Sequence, residues 1–396
     1  MIKIKKLHNI LIKKKIEFYI FLILFISSFN ILLHFIKKNF FDTFSIFGDF
    51  LVYRCAGINF INNQSPYGIN QLQNCLNSYP NSLDFFYPPI TLSFFSLFGY
   101  LNLELSLWIW GIFISISLIS IIFFSYKFFS DKNSFFIFLF VFFFSFGGLN
   151  WAGILTGNIS ILIYGIISLG IFFLFKEKNN YFYALIIFCT IIKPTYIIFI
   201  LLPIFLSNKT NLEEFKKIIL SITISILIYI LSYFNNPFLF TEFLNHLEYA
   251  KSPEFKGIFG KGFGLFSIID SFNVLIIKNF ELKINTSLIS NILWLAIILL
   301  FLLYSLLQKK KKKQITFNQK IAFGVCIITL CYPILKHYEC FIVVPCLFFI
   351  INNFKTKLKF ILLILMFGLH DKYSFFLILI ITFAYETYLI NKKVLT

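Results

Sequence analysis

The sequence predicts an all-α polytopic membrane protein, a bundle of about 12 transmembrane helices (range 10–13) with an outer juxtamembrane helix layer. Three observations carry this. With 59% hydrophobic residues and a mean hydropathy of +0.85, a chain of 396 residues could not cover its own apolar surface as a soluble globule. Apolar runs of about 13–23 residues recur along the whole length, and about 20 helical residues span a bilayer. The formal net charge of +18 comes from lysines gathered in short clusters between those runs. Clusters so placed are orientation signals, which excludes a nucleic-acid partner as the meaning of the charge.

The elements follow from the lysines. Six of them precede residue 16, and the apolar segment behind them is long and has no small-residue cleavage site, so it reads as an uncleaved signal-anchor. The N-terminus is then cytoplasmic, residues 17–37 cross outward, and 38–86 lie outside. The connections 126–134, 176–180, 208–217, 309–320 and 352–359 and the C-terminal tail all carry lysine, and all are assigned to the cytoplasm. Residues 103–126 descend, and the intervening stretches divide into the pairs 134–149 with 158–175, 181–192 with 195–207, 217–234 with 287–307, 320–335 with 338–351, and 358–370 with 373–390. Lys193-Pro194 breaks the second pair, since proline cannot donate the helical hydrogen bond and clashes with the preceding turn. Residues 87–101 remain as a half-inserted outer helix, and the shorter runs imply a thinned bilayer or burial within the bundle. The whole of 1–396 is one membrane domain, with a first extracytoplasmic loop and its juxtamembrane helices at 38–102 and a large extracytoplasmic loop at 235–286.

Under this threading the outer bends collect the polar residues that a plain bundle does not use. Asp49 is a solvated acid, an N-cap for a helix over Phe50–Asn62, or a general base. Arg54 is the only arginine; it is either incidental or a phosphate clamp. Lys193 sits in apolar sequence, where a lysine either snorkels to the headgroups or serves function. Gly157-Asn158 marks a turn, and Lys256 and Lys261 lie in a glycine-rich run that is a surface loop or a phosphate cradle. His337 could assist a leaving phosphate, His370-Asp371 is a lesser candidate, and the two bends do not make a metal site. Cys55 and Cys75 could pair if their segment is extracytoplasmic, while Cys189, Cys326, Cys331 and Cys346 read as small buried residues.

The order of GDFLVYRCAGINFINNQSPYG (48–68), DFFYPP, TGNISIL and IIKPTY resembles the polyprenol-phosphate-mannose-dependent glycosyltransferases of family 87, of the GT-C fold. The likeness runs over about residues 45–207, with LCYPILKHYE similar to the family's late proline-histidine bend. The family's Gly-Gln-x-Asn is shortened here to Gly157-Asn158. The resemblance implies an inverting transfer of a hexose, foremost mannose, from a polyprenyl-phosphate sugar to a hydroxyl of a glycolipid, polysaccharide or protein acceptor, on the extracytoplasmic face of a bacterial inner membrane. Asp49 would be the general base, Lys193, Arg54, Lys261 and His337 the donor-phosphate ligands, and Tyr87 and Asn158 substrate-binding residues. No cofactor is implied beyond the lipid-linked donor, and no metal. The alternatives are a transporter or flippase of lipid-linked sugars and an O-antigen ligase- or polymerase-like enzyme.

Overall fold

Apolar runs flanked by lysine fold as helices wherever the chain is described. The computed structural model describes residues 47–68, 71–76, 84–129, 135–206, 212–249, 265–279, 286–307, 316–332, 336, 339–354, 356–368, 378, 380, 381 and 384. The expected span at 17–37, most of that at 373–390, and Lys256, Lys261, His337 and His370–Lys372 lie outside these residues.

The first elements are α1 (Gly48–Ile61), the single turn α2 (Gln73–Leu76) and α3 (Leu92–Gly99), which is entered through a 3-10 turn at Pro89–Thr91. Then come α4 (Leu103–Phe129), α5 (Phe135–Phe144), α6 (Leu149–Thr156), α7 (Ser160–Phe175) and α8 (Asn179–Ile192). A 3-10 segment over Pro194–Leu201 leads into α9 (Leu202–Leu206) and α10 (Leu212–Asn235). The remainder is α11 (Pro237–Tyr249), α12 (Leu265–Asn279), α13 (Thr286–Leu307), α14 (Phe317–Cys331), α15 (Val343–Asn352) and α16 (Thr356–Gly368). The large outer loop expected at 235–286 therefore contains two helices, α11 and α12. No strand occurs among the described residues.

Among the described residues, α4 and α10 are each long and apolar enough to cross a bilayer, and the other apolar helices run 10–17 residues. Both long helices are inside out relative to a soluble protein. On α10, Ile219, Leu220, Ile226, Leu227, Ile230, Leu231 and Phe234 are exposed, while Ser221, Ser225 and Ser232 are buried. Helices that associate in lipid bring small residues to the contact and leave large apolar ones to the acyl chains. The 3-10 turn and α3, spanning Pro89–Gly99, are too short to cross and lie against α1.

The α1–α3 contact is backbone on backbone. A Cβ on Gly57 would stand 2.3 Å from the Phe95 carbonyl oxygen, so only glycine fits. A disulfide between Cys55 and Cys75 ties the following loop back to α1. Tyr67 then donates its hydroxyl to the Tyr87 carbonyl at 2.8 Å. From the far side α11 holds the same strap, with His246 stacked on Phe86 at 4.5 Å and its Nε2 3.9 Å from an Asp84 carboxylate oxygen. Burial pushes the His246 imidazole down to about 4.

At Lys193 the helix stops as the sequence requires. The residue before a proline is driven out of the α region, and Lys193 is extended at φ −143°, ψ 110°. The 3-10 segment that follows packs against α8 and leads into α9, so the chain divides at Lys193-Pro194.

Candidate active site

The site forms where the start of α1, the α6–α7 bend, the strap at Tyr87, the break at Lys193 and the bend before α15 converge. Phe47 adopts a left-handed conformation (φ 64°) just ahead of α1. It is held there by its N–H, which donates to the Leu155 carbonyl at 2.8 Å, and by the packing of its ring on Gly111 and Gly157. Starting the helix at Gly48 puts Asp49 in the first turn and leaves it without a capping bond. A carboxylate there is favoured by the positive end of the helix dipole.

The α6–α7 bend supplies its partner. Gly157 takes φ +67°, with Asn158 N–H on Gly153 O and Gly157 N–H on Ile154 O, the helix-ending arrangement that needs a left-handed residue. Trp110 Nε1 donates to the Gly157 carbonyl at 2.8 Å. Asn158, fully enclosed, donates Nδ2–H to Asp49 Oδ2 at 2.8 Å and accepts the Ser160 N–H on Oδ1 at 2.9 Å, which fixes which way its amide faces. Burial raises the Asp49 carboxyl above the ordinary 3.8, against the opposing hydrogen bonds of Thr156 and Asn158 and the charge of Lys193. Asp49 nonetheless keeps some accessible surface, as a group that must meet a substrate requires.

Tyr53 stands one turn along α1. Its hydroxyl lies 3.1 Å from that of Tyr87 and accepts the Ile159 N–H at 3.4 Å. Burial raises both phenols, so they stay protonated and act as hydrogen-bonding walls. Lys193, whose charge is felt at Asp49, is ion-paired through Nζ with Glu339. Glu339 is enclosed, and its other oxygen accepts the Lys336 N–H at 2.9 Å. Tyr164 donates to the Glu339 carbonyl, and Tyr332 pairs with Thr195 at 2.6 Å while its hydroxyl lies 3.5 Å from Glu339 Oε1. Tyr87 lies within electrostatic reach of both carboxylates.

Of the residues singled out in the sequence, Asp49, Tyr87, Asn158 and Lys193 thus share one centre. Arg54 is placed elsewhere: its guanidinium donates to the Leu101 carbonyl at 2.9 Å and to Ser106 Oγ at 3.3 Å, tying α1 to the start of α4. Sequence reasoning gave no role to Tyr53, Tyr332 or Glu339. The signal for Glu339 was available in the acid at the end of Lys336-His337-Tyr338-Glu339, flanked by apolar sequence. Among the described residues no group of three or more His, Cys, Asp and Glu side chains is disposed to hold a metal ion.

Apolar helices around a carboxylate–lysine centre at converging helix ends define a membrane protein with a chemically equipped site. Residues 85–333 match the model of glycosyltransferase family 87, more than half of the chain, and the chain belongs to that family. It is a membrane glycosyltransferase. Tyr87, Asn158 and Lys193 fall inside the matched region, Asp49 before it and Glu339 just after it. No curated protein and no solved structure matches the chain.

Proposed function

We propose that the protein transfers a hexose, with mannose the foremost candidate, from a polyprenyl-phosphate sugar to an acceptor hydroxyl on a glycolipid, polysaccharide or protein, inverting the anomeric carbon. One observation carries the reading: Asp49, a half-buried acid oriented by Asn158, lies within electrostatic reach of Lys193. A base and a cation so disposed can act on the two ends of a single displacement.

Asp49 takes the proton of the acceptor hydroxyl as its oxygen forms the bond to the anomeric carbon. The bond from that carbon to the phosphate oxygen breaks, and its electron pair leaves with the polyprenyl phosphate. Lys193 stabilises the charge that grows there. Lys261 and His337 are further candidates for the phosphate, Tyr53 and Tyr87 line the sugar's place, and Arg54 serves the α1–α4 contact instead. The lipid-linked sugar is the only cosubstrate proposed.

The disulfide at Cys55–Cys75 supports an extracytoplasmic site, since such bonds persist in oxidising compartments. We place the enzyme in a bacterial inner membrane with both termini cytoplasmic.

The test incubates purified protein in lipid with radiolabelled polyprenyl-phospho-mannose and a crude acceptor extract, comparing wild type with Asp49→Asn. Release of polyprenyl phosphate and label in a new product, both dependent on Asp49, is the expected result. No turnover of this or any other polyprenyl-phosphate sugar by intact protein rejects the transferase chemistry in favour of transport of a lipid-linked sugar. Turnover that survives Asp49→Asn removes Asp49 as the base.

A further inference from the structure

Lys193 is not a lone cation. Its ammonium is paired with a carboxylate whose side chain is 0% exposed, while the lysine side chain keeps 24% of its surface. The Glu339 carboxylate is itself fixed: the Lys336 N–H binds one oxygen at 2.9 Å, the Glu339 N–H returns to the Lys336 carbonyl at 3.0 Å, and Tyr164 holds the Glu339 carbonyl. Tyr332 lies between this bend and Thr195, two residues after Lys193, so the broken helix and the bend before α15 form one closed ring of contacts. With the carboxylates ionised, Asp49, Lys193 and Glu339 sum to one negative charge in a site proposed to receive an anion.

This arrangement has a chemical use that rests on the donor reading above. The phosphate of a polyprenyl-phosphate sugar is a diester with one negative charge. The departing polyprenyl phosphate is a monoester whose second ionisation lies near pH 6 (roughly, for phosphate monoesters). An unmodified lysine would therefore hold the product more tightly than the donor and the enzyme would stall on it. We infer that Glu339 is the counter-ion that works through Lys193 to offset the additional charge of the product, so that the lipid monophosphate leaves. The exposed part of Lys193 meets the phosphate and the buried carboxylate sets how strongly.

The experiment measures binding of a polyprenyl monophosphate, presented in phosphatidylcholine vesicles, to wild type and to Glu339→Gln. The amide keeps the size of the side chain and removes its charge. Binding to Glu339→Gln is expected to tighten by about tenfold, the order of effect of one neighbouring charge in a partly hydrated site, and Glu339→Asp to return it towards wild type. A merely structural role predicts the reverse, because a loosened Lys193 binds phosphate less well. Equal or weaker binding to Glu339→Gln, with wild type binding, overturns the counter-ion role and leaves the donor reading intact. Absence of binding to wild type overturns both.

A second measurement needs no variant. Wild type should bind a polyprenyl methyl phosphodiester at least as tightly as the monophosphate at pH 7. A monophosphate preference of about tenfold would overturn the inference even if Glu339→Gln did not fold.

Discussion

Helices α10 and α1 are both apolar, yet they are held by different means. On α10 the large side chains face outward and its buried serines bond to carbonyls one turn back within the same helix, Ser221 to Lys217 at 2.7 Å and Ser225 to Ser221 at 2.9 Å. Its surroundings are lipid, and nearly any large apolar residue suits them. On α1 the apolar residues face protein: Phe50 stacks on Trp110 at 4.8 Å, Tyr53 on Phe95 at 5.0 Å, and Gly57 abuts the backbone of α3. Specific neighbours, a disulfide and a left-handed Phe47 determine where α1 begins, and through that where Asp49 stands. A helix that only spans is tolerant; a helix that carries a reacting group is constrained on every side.

Substitutions should divide accordingly. The largest effect belongs to Asp49→Asn, with transfer falling by about a hundred- to ten-thousand-fold, the range of a lost general base. Its thermal unfolding should match or slightly exceed wild type, since a half-buried carboxyl has been replaced by a neutral group. A parallel loss of fold would place Asp49 among the structural residues of α1.

Next comes the staple. Converting Cys55 and Cys75 to serine opens a link across 20 residues of sequence and should cost about 2–4 kcal/mol in denaturant titrations in mixed micelles. Gly57→Ala should cost about 1–3 kcal/mol, because its Cβ has no room before the Phe95 carbonyl. On α10, Leu227→Ala should stay within about 0.5 kcal/mol. Equal penalties at Gly57 and Leu227 would break the distinction between the two helices.

The smallest expected effect is a shift along the pH axis. Asp49 must be ionised to accept a proton, and burial raises its carboxyl above the ordinary 3.8, so the acid limb of the rate profile should lie above that value. Asn158→Ala removes a hydrogen bond that favours the ionised form and should move the limb to higher pH. The same shift has a stability sign. The folded state holds this proton more tightly than the unfolded state, so the Asp49 contribution to stability falls as pH rises from below 3.8 through the raised value. A limb unmoved by Asn158→Ala would mean that another group sets the profile.

Much of this protein was written in its composition. Membrane residence and helices follow from hydropathy alone, because a bilayer accepts apolar surface and requires backbone groups to be paired within the segment. The break at Lys193 follows from Pro194, and the short apolar helix at Pro89–Gly99 from the length of its run. Asp49, Tyr87, Asn158 and Lys193 stood out as polar groups that a plain bundle has no use for. Only the tertiary structure decided which of them meet. Glu339 stands 146 residues from its partner Lys193, and Asn158 stands 109 residues from Asp49. Pairings at that separation depend on how helices pack, which no local pattern encodes. Arg54 makes the same point in reverse: its rarity drew attention in the sequence, yet the packing of α1 on the start of α4 turns it to Leu101 and Ser106. Local chemistry fixes what each residue can do, and the long-range contacts of the folded chain choose which of those capacities is used.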